Sequence, residues 1–248
     1  MIIIKSDREV EIMREAGKVT GEILREVEGF IRPGLTTHDV DAFVEERINL
    51  AGMKPAFKGY GGFPAAACVS VNEEIVHGIP SRNRVLKEGD IVSIDTGTIY
   101  RGYYSDAART YPVGEISAAA RKLIDVTKES FFRGIEYARV GFRLRDIGHA
   151  VQEYAEVNGM GVIRDYTGHG VGRNLHEDPQ VPNYGVAGTG PHLKRGMVLA
   201  IEPMLALGTY ECRTLANGWT VVTNDGKMAA HYENTVAITD GDPILLTI

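Results

Sequence analysis

The chain has 248 residues, 24% of them charged and 44% hydrophobic, with 27 Lys+Arg against 33 Asp+Glu and a formal charge of −6. This is the ordinary mix of a globular chain long enough to bury a core without staples, and its acidic balance excludes a polybasic nucleic-acid or membrane-surface binder. The two cysteines, Cys68 and Cys212, cannot form a disulfide framework and point to a reducing compartment, while the apolar start Met1-Ile2-Ile3-Ile4 is too short for a signal-peptide core or a membrane span.

Ser6-Asp7-Arg8-Glu9 is a capping box that opens a first helix. Val10, Met13, Ala16, Val19, Ile23, Leu24, Val27 and Ile31 then recur at helical spacing, and Arg32-Pro33-Gly34 stops it. Thr36/Thr37 starts a second helix that runs to about Leu50 and ends at Gly52. Residues 54–112 read as strands and loops, with Val69–Val71 and Ile91–Asp95 alternating. A helix pair follows near 117–138 and 143–158, and strands dominate from Val162 onward. Asn224-Asp225-Gly226 predicts a hairpin turn between Trp219–Thr223 and the strand from Tyr232 to Ile238.

The order helix, helix, strands occurs twice, and a repeat underlies it. Residues 32–53 align on 139–160 at Arg32/Arg139, Gly34/Gly141, Asp39/Asp146, Val44/Val151, Glu46/Glu153, Gly52/Gly159 and Met53/Met160, an offset of 107. The same offset lays Leu86-Lys87-Glu88-Gly89 on Leu193-Lys194-Arg195-Gly196, and Ile91–Asp95 on Val198–Glu202. Two segments sharing one offset imply two similar halves, roughly 1–110 and 111–248, within a single catalytic domain over 1–248. A pseudo-twofold between them would bring Asp95 and Glu202 together near the axis.

Asp95 ends an apolar run, where a carboxylate is costly unless it is paired or bound to metal. Asp106 lies 11 residues on, a distance that suits a hairpin returning beside Asp95. Glu202 repeats the pattern in Leu199-Ala200-Ile201-Glu202-Pro203, and Glu233 precedes the apolar strand Val236-Ala237-Ile238. A lone acidic residue is ordinarily a salt bridge, turn or cap. Four on strand ends, two of them related by the repeat, would repel one another unless divalent cations sat between them. Oxygen-rich donors suit Mn, Fe(II), Co or Mg better than a tetrahedral structural zinc.

His169, in Gly168-His169-Gly170-Val171-Gly172, adds an imidazole to that set; the glycine spacing fits neither a dinucleotide loop nor a Walker loop. His77 and His176 lie in Gly- and Pro-containing loops consistent with a cleft, whereas His38, His149, His192 and His231 read as helix surface or loop. No Gly-x-Ser-x-Gly elbow is present, and Cys68 sits in an apolar strand that disfavours a thiolate nucleophile.

Val71-Asn72-Glu73-Glu74-Ile75-Val76-His77-Gly78-Ile79-Pro80, Gly168–Gly172, His176-Glu177-Asp178-Pro179, Ile201-Glu202-Pro203 and Glu233-Asn234-Thr235, in that order, resemble the bacterial-like type I methionine aminopeptidases of the M24 metallopeptidases. The resemblance covers nearly the whole chain. It implies the α+β pita-bread (creatinase/aminopeptidase-like) fold: two pseudosymmetric halves around a curved antiparallel sheet, with helices on its outer face. It implies two divalent ions (Co, Mn or Fe(II)) held by Asp95, Asp106, His169, Glu202 and Glu233. A hydroxide bridging them would attack the scissile carbonyl. His77 and His176 would flank the scissile bond, and Glu202 would carry the proton to the leaving amine, so that His77, His176 and Glu202 form the catalytic set. Tyr60, Phe63, Cys68 and Trp219, with His77 and His176, would bind the methionine. The chain departs from the family pattern at Leu175, where an aromatic is common, and at Phe63, where Tyr is common; both bear on pocket shape.

The function implied is removal of the initiator methionine, when the second residue is small, from nascent proteins and peptides. The expected protein is a cytoplasmic monomer, with the ribosome as a further partner and no direct nucleic-acid or membrane contact. A proline dipeptidase or X-Pro aminopeptidase of the same fold is the competing enzyme. Those carry a separate N-terminal domain, for which a repeat beginning near residue 6 leaves no room. A catalytically inactive binding protein is the third reading, set against all five ligand types being present.

Overall fold

The computed structural model describes residues 1–248. Helix α1 (Asp7–Phe30) begins where Ser6 accepts from the Glu9 N–H and the Glu9 carboxylate accepts from the Ser6 N–H at 2.8 Å, which satisfies two otherwise orphaned donors. Thr36 and Asp39 repeat the device before α2 (Thr37–Leu50). Ser117 caps α3 (Ala118–Ile135), and the Asp146 carboxylate takes the Arg143 N–H at 2.7 Å before α4 (Leu144–Val157). The apolar faces of these helices pack on strands. Ile23, Leu24, Val27, Val40, Val44 and Ile48 form one core with Val69, Val71, Val92 and Ile94, and Phe131, Leu144 and Ile147 form another with Leu199, Ile201 and Val236. Each such side chain contributes about 1.5–3 kcal/mol on burial.

The offset of 107 recurs in the elements. It carries the bounds of α2 onto those of α4 and Lys54–Pro55 onto Gly161–Val162. It also carries the isolated bridge Thr36↔Val85 onto Arg143↔His192.

All strand pairings are antiparallel, and the ladders divide into five sheets. Ile91–Thr96 lies between Ala67–Val71 and Ala107–Pro112, with Asp95 opposite Cys68 and Ala108. Val198–Ile201 lies between Gly168–Gly170 and Asn234–Ala237, with Ala200 opposite His169 and Thr235. Asp106 and Glu233 each immediately precede the strand that pairs with the one ending near Asp95 or Glu202. The two ladders are stitched together: Asp106 N–H donates to Thr235 Oγ1 at 3.0 Å, and that hydroxyl donates to the Asp106 carbonyl at 2.8 Å. Arg109 donates to the Glu233 carbonyl, to Asn234 Oδ1 at 2.7 Å and to the Thr247 carbonyl at 3.3 Å.

The hairpin expected across Asn224–Gly226 does not form. Val221–Thr223 pairs with Cys212–Thr214 and Glu74–Val76, Ala229–His231 pairs with Met204–Ala206, and Asn234–Ala237 pairs with Val198–Ile201. The turn is tied sideways instead: Asp225 accepts from Thr209 N–H at 3.0 Å and Lys227 N–H at 3.1 Å, and Asn224 N–H donates to the Glu211 carbonyl.

Candidate active site

A cavity of about 220 Å³ opens where the two stitched ladders meet, and all eleven site residues expected from the sequence line it. Asp95, Asp106, His169, Glu202 and Glu233 form one end. Phe63, Cys68 and Trp219 form an apolar wall, with Phe63 and Trp219 edge-to-face at 5.2 Å between ring centroids. Tyr60, His77 and His176 line the cavity between wall and carboxylates. Leu175, expected to bear on pocket shape, lines it too, as do Phe57, Tyr166, Thr167 and Met204; no sequence pattern distinguishes these last four from ordinary core or loop residues.

The acidic end is electrostatically unfinished. Asp106 is 4% and Glu233 1% exposed, and Asp95 Oδ1, Asp106 Oδ1 and Glu233 Oε1 are buried with no hydrogen-bond partner. Burial pushes the Asp95 carboxyl up to about 7, and the charge of Glu202 adds to the shift while His231 opposes it. Burial also drives Asp106, Glu202 and Glu233 well above the carboxylate range, reinforced at Asp106 by Asp95 and at Glu233 by Asp106. Such a cluster is costly as four anions.

His169 completes the donor set. Its Nδ1 lies 2.9 Å from the Gly170 carbonyl and so carries the proton, which leaves the Nε2 lone pair 3.6 Å from both Asp106 Oδ2 and Glu202 Oε1. Burial holds its pKa down to about 3, so the ring is neutral. The flanking glycines are required by close approach: a Cβ at Gly168 would strike the Ala200 carbonyl, and one at Gly170 the Asp178 carbonyl. Orphaned carboxylate oxygens and an imidazole lone pair converging within one pocket fit divalent cations of the oxygen-preferring kind.

His77 has φ 58, an unusual backbone for a residue other than glycine, and its carbonyl accepts from Thr220 Oγ1 at 3.3 Å. Its ring stands edge-on to Tyr166 and Trp219, and burial lowers its pKa to about 4. His176 stands at the cavity mouth with Nδ1 2.8 Å from the Tyr60 hydroxyl and its ring 4.1 Å from that of His169. Burial raises the Tyr60 phenol, so that hydroxyl is the donor. The Cys68 thiol is pushed well up by burial and by Asp95, which leaves it protonated and packed against the wall.

His231 corrects the sequence reading. It is no loop or surface residue but sits in strand Ala229–His231, 1% exposed, with Nε2 3.5 Å from Glu202 Oε2 and 3.9 Å from Glu233 Oε2. Burial lowers its pKa to about 4. One signal was available: His231 lies two residues before Glu233, the spacing that puts side chains on one face of a strand.

Paired carboxylate-tipped strands, a neutral imidazole and a buried unbalanced charge are the features of a divalent-metal enzyme. Residues 11–240 match metallopeptidase family M24, and the chain belongs to that family. A methionine aminopeptidase of Clostridium acetobutylicum is 60% identical over 248 residues, covering 100% of this chain and 99% of the relative. Methionine aminopeptidase 1 of Bacillus subtilis is 53% identical over 247 residues, with coverage of 100% and 99%. The solved methionine aminopeptidase of Thermotoga maritima matches with a TM-score of 0.98 at 51% identity, covering 100% of this chain and 99% of that one. A prolidase of Pyrococcus furiosus matches with a TM-score of 0.79 at 27% identity, covering 99% of this chain but 65% of the prolidase.

Proposed function

We propose that the protein is a metal-dependent aminopeptidase that removes the N-terminal methionine of peptides and nascent chains when the second residue is small, acting as a single catalytic domain over residues 1–248. The observation that carries this reading is one cavity with four buried or half-buried carboxylates, three of them with an unpartnered oxygen, and an imidazole lone pair at one end and an apolar, aromatic wall at the other. The methionine aminopeptidases similar over the full chain support it.

Asp95, Asp106, His169, Glu202 and Glu233 would hold two divalent ions, with Co, Mn and Fe(II) the candidates. When bound, such ions supply Lewis acidity and acidify water near neutral pH. The residues do the rest. Phe63, Cys68 and Trp219 receive the unbranched thioether side chain, for which sulfur–aromatic contact is favourable. Tyr60 donates to His176 Nδ1, which fixes the tautomer with the proton on Nε2, the donor for the developing oxyanion. Neutral His77 hydrogen-bonds around the scissile amide. Glu202 would accept a proton from the attacking water on a carboxylate oxygen and pass it to the leaving amine.

No helix is long and apolar enough to cross a membrane. The cytoplasm, a monomeric state and encounter with chains emerging from the ribosome complete the proposal. Assaying purified protein, loaded in turn with Mn, Fe(II), Co and Zn, against Met-Ala-Ser and Gly-Pro peptides tests it. Methionine release from Met-Ala-Ser is expected; preference for the Gly-Pro peptide would assign a prolidase-type activity instead.

A further inference from the structure

We infer that His231 is a positioning residue that holds the Glu202 carboxylate from behind through an Nε2–H donor. The inference deepens the proposed function and rests on Glu202 being its proton carrier. Glu202 is bracketed by two imidazoles: Oε1 lies 3.6 Å from His169 Nε2, and Oε2 lies 3.5 Å from His231 Nε2. The His169 nitrogen is a lone pair, because its proton is committed to the Gly170 carbonyl. His231 has no such commitment. Its Nε2 is buried without a partner, and the nearest acceptors are Glu202 Oε2 and, at 3.9 Å, Glu233 Oε2.

The His231 backbone is held in place. His231 N–H donates to Thr110 Oγ1 at 2.9 Å, and the same hydroxyl donates to the His231 carbonyl at 2.9 Å. Register places His231 opposite Met204, two residues beyond Glu202 on the neighbouring chain segment. His231 does not line the active-site cavity. It lines a second cavity of about 460 Å³, together with Arg109 and Tyr232. Substrate therefore does not meet this ring. Its effect reaches the reaction through Glu202, whose second oxygen it would keep from swinging away from its proton-carrying position.

Two variants separate a donor at this place from mere filling of space. His231→Gln sets an N–H where Nε2 stands; His231→Asn reaches only the Nδ1 position. Mn²⁺ affinity is read by calorimetry, and kcat and KM are read with Met-Ala-Ser. His231→Asn is expected to weaken Mn²⁺ binding and kcat by roughly 10–100-fold, with KM within about threefold, and His231→Gln to stay within about threefold of the parent throughout. Equal behaviour of His231→Asn and the parent, or of the two variants, would overturn the inference.

Mn²⁺ affinity of Glu202→Gln, alone and combined with His231→Gln and with His231→Asn, closes the argument. The difference between the two His231 variants should vanish once Glu202 is altered, and its persistence would also overturn the inference. Should the parent protein leave Met-Ala-Ser intact, the proposed function fails, while the affinity cycle still decides the role of His231.

Discussion

Tyr60 shows how closely the work of single residues is divided in this site. Its ring lines the cavity and its hydroxyl, 2.8 Å from His176 Nδ1, sets which imidazole nitrogen bears the proton. Tyr60→Phe keeps the ring and removes the donor. The expected loss is about 1 kcal/mol, roughly a fivefold fall in kcat on Met-Ala-Ser with KM little changed, measured by steady-state kinetics. A change confined to KM would assign Tyr60 to binding alone. At this scale Asp95 and Glu202 were legible because each ends an apolar run, Asp106 by its distance from Asp95, Glu233 by the apolar strand it precedes, and His169 because glycines crowd it. His231 was only faintly legible: its two-residue spacing from Glu233 is a weak signal, and its burial depends on strands that sequence does not pair. No such signal marks Tyr166 and Met204, whose place in the cavity is set by loops from distant parts of the chain.

Among the elements, the segment before α1 has a task beyond starting the helix. Lys5 N–H donates to the Gly196 carbonyl, and Lys5 Nζ pairs with Glu177 Oε2 at 2.6 Å, both side chains 3% exposed. Glu177 Oε1 also accepts from Asn174 N–H at 3.2 Å. The ion pair thus anchors the loop that presents His176. Lys5→Met should cost about 3–5 kcal/mol in urea unfolding, because it strands a buried carboxylate, and Lys5→Met with Glu177→Leu should recover most of that loss. An additive loss in the double variant would contradict this account of the pair. Helix starts were readable to within a residue or two because their caps are local chemistry: Ser6 with Glu9, Thr36 with Asp39. Strand partners were not. Asn224-Asp225-Gly226 has the residues of a hairpin turn, yet Asp225 spends its carboxylate on Thr209 and Lys227, and the flanking strands join different sheets.

The whole molecule is two related halves that meet at a concentration of negative charge. The repeat was visible because cap, turn and strand residues keep one offset through 107 residues of separation; the stitching across the halves was not, although it too is repeated, Thr110 holding the His231 backbone as Thr235 holds that of Asp106, because those pairs do not follow the offset of 107. Folding the acidic end without metal leaves carboxyls whose pKa values lie above those of the unfolded chain, Asp95 at about 7. At Asp95, Asp106, Glu202 and Glu233 the metal-free folded state therefore binds more protons than the unfolded one, and the stability this gives is lost as pH rises through the folded values; His77, His169, His176 and His231, held neutral by burial, oppose it below about pH 6.5, so the carboxyls set the slope only above that. Chelator-stripped protein should melt lower at pH 8 than at pH 7, and Asp95→Asn should flatten that slope. Added Mn²⁺ should restore stability most at pH 8, where protons compete least. A metal-free melting temperature that does not fall across this interval, or that falls as steeply in Asp95→Asn as in the parent, would contradict the assignment.

Two metal ions are proposed to sit where the halves meet. Anomalous diffraction from Mn²⁺-loaded crystals measures this directly. Two manganese peaks are expected within coordinating reach of Asp95, Asp106, His169, Glu202 and Glu233, both lost in Glu233→Ala. Manganese found only elsewhere on the chain, or a cavity that stays free of it at saturating metal, would contradict the proposal.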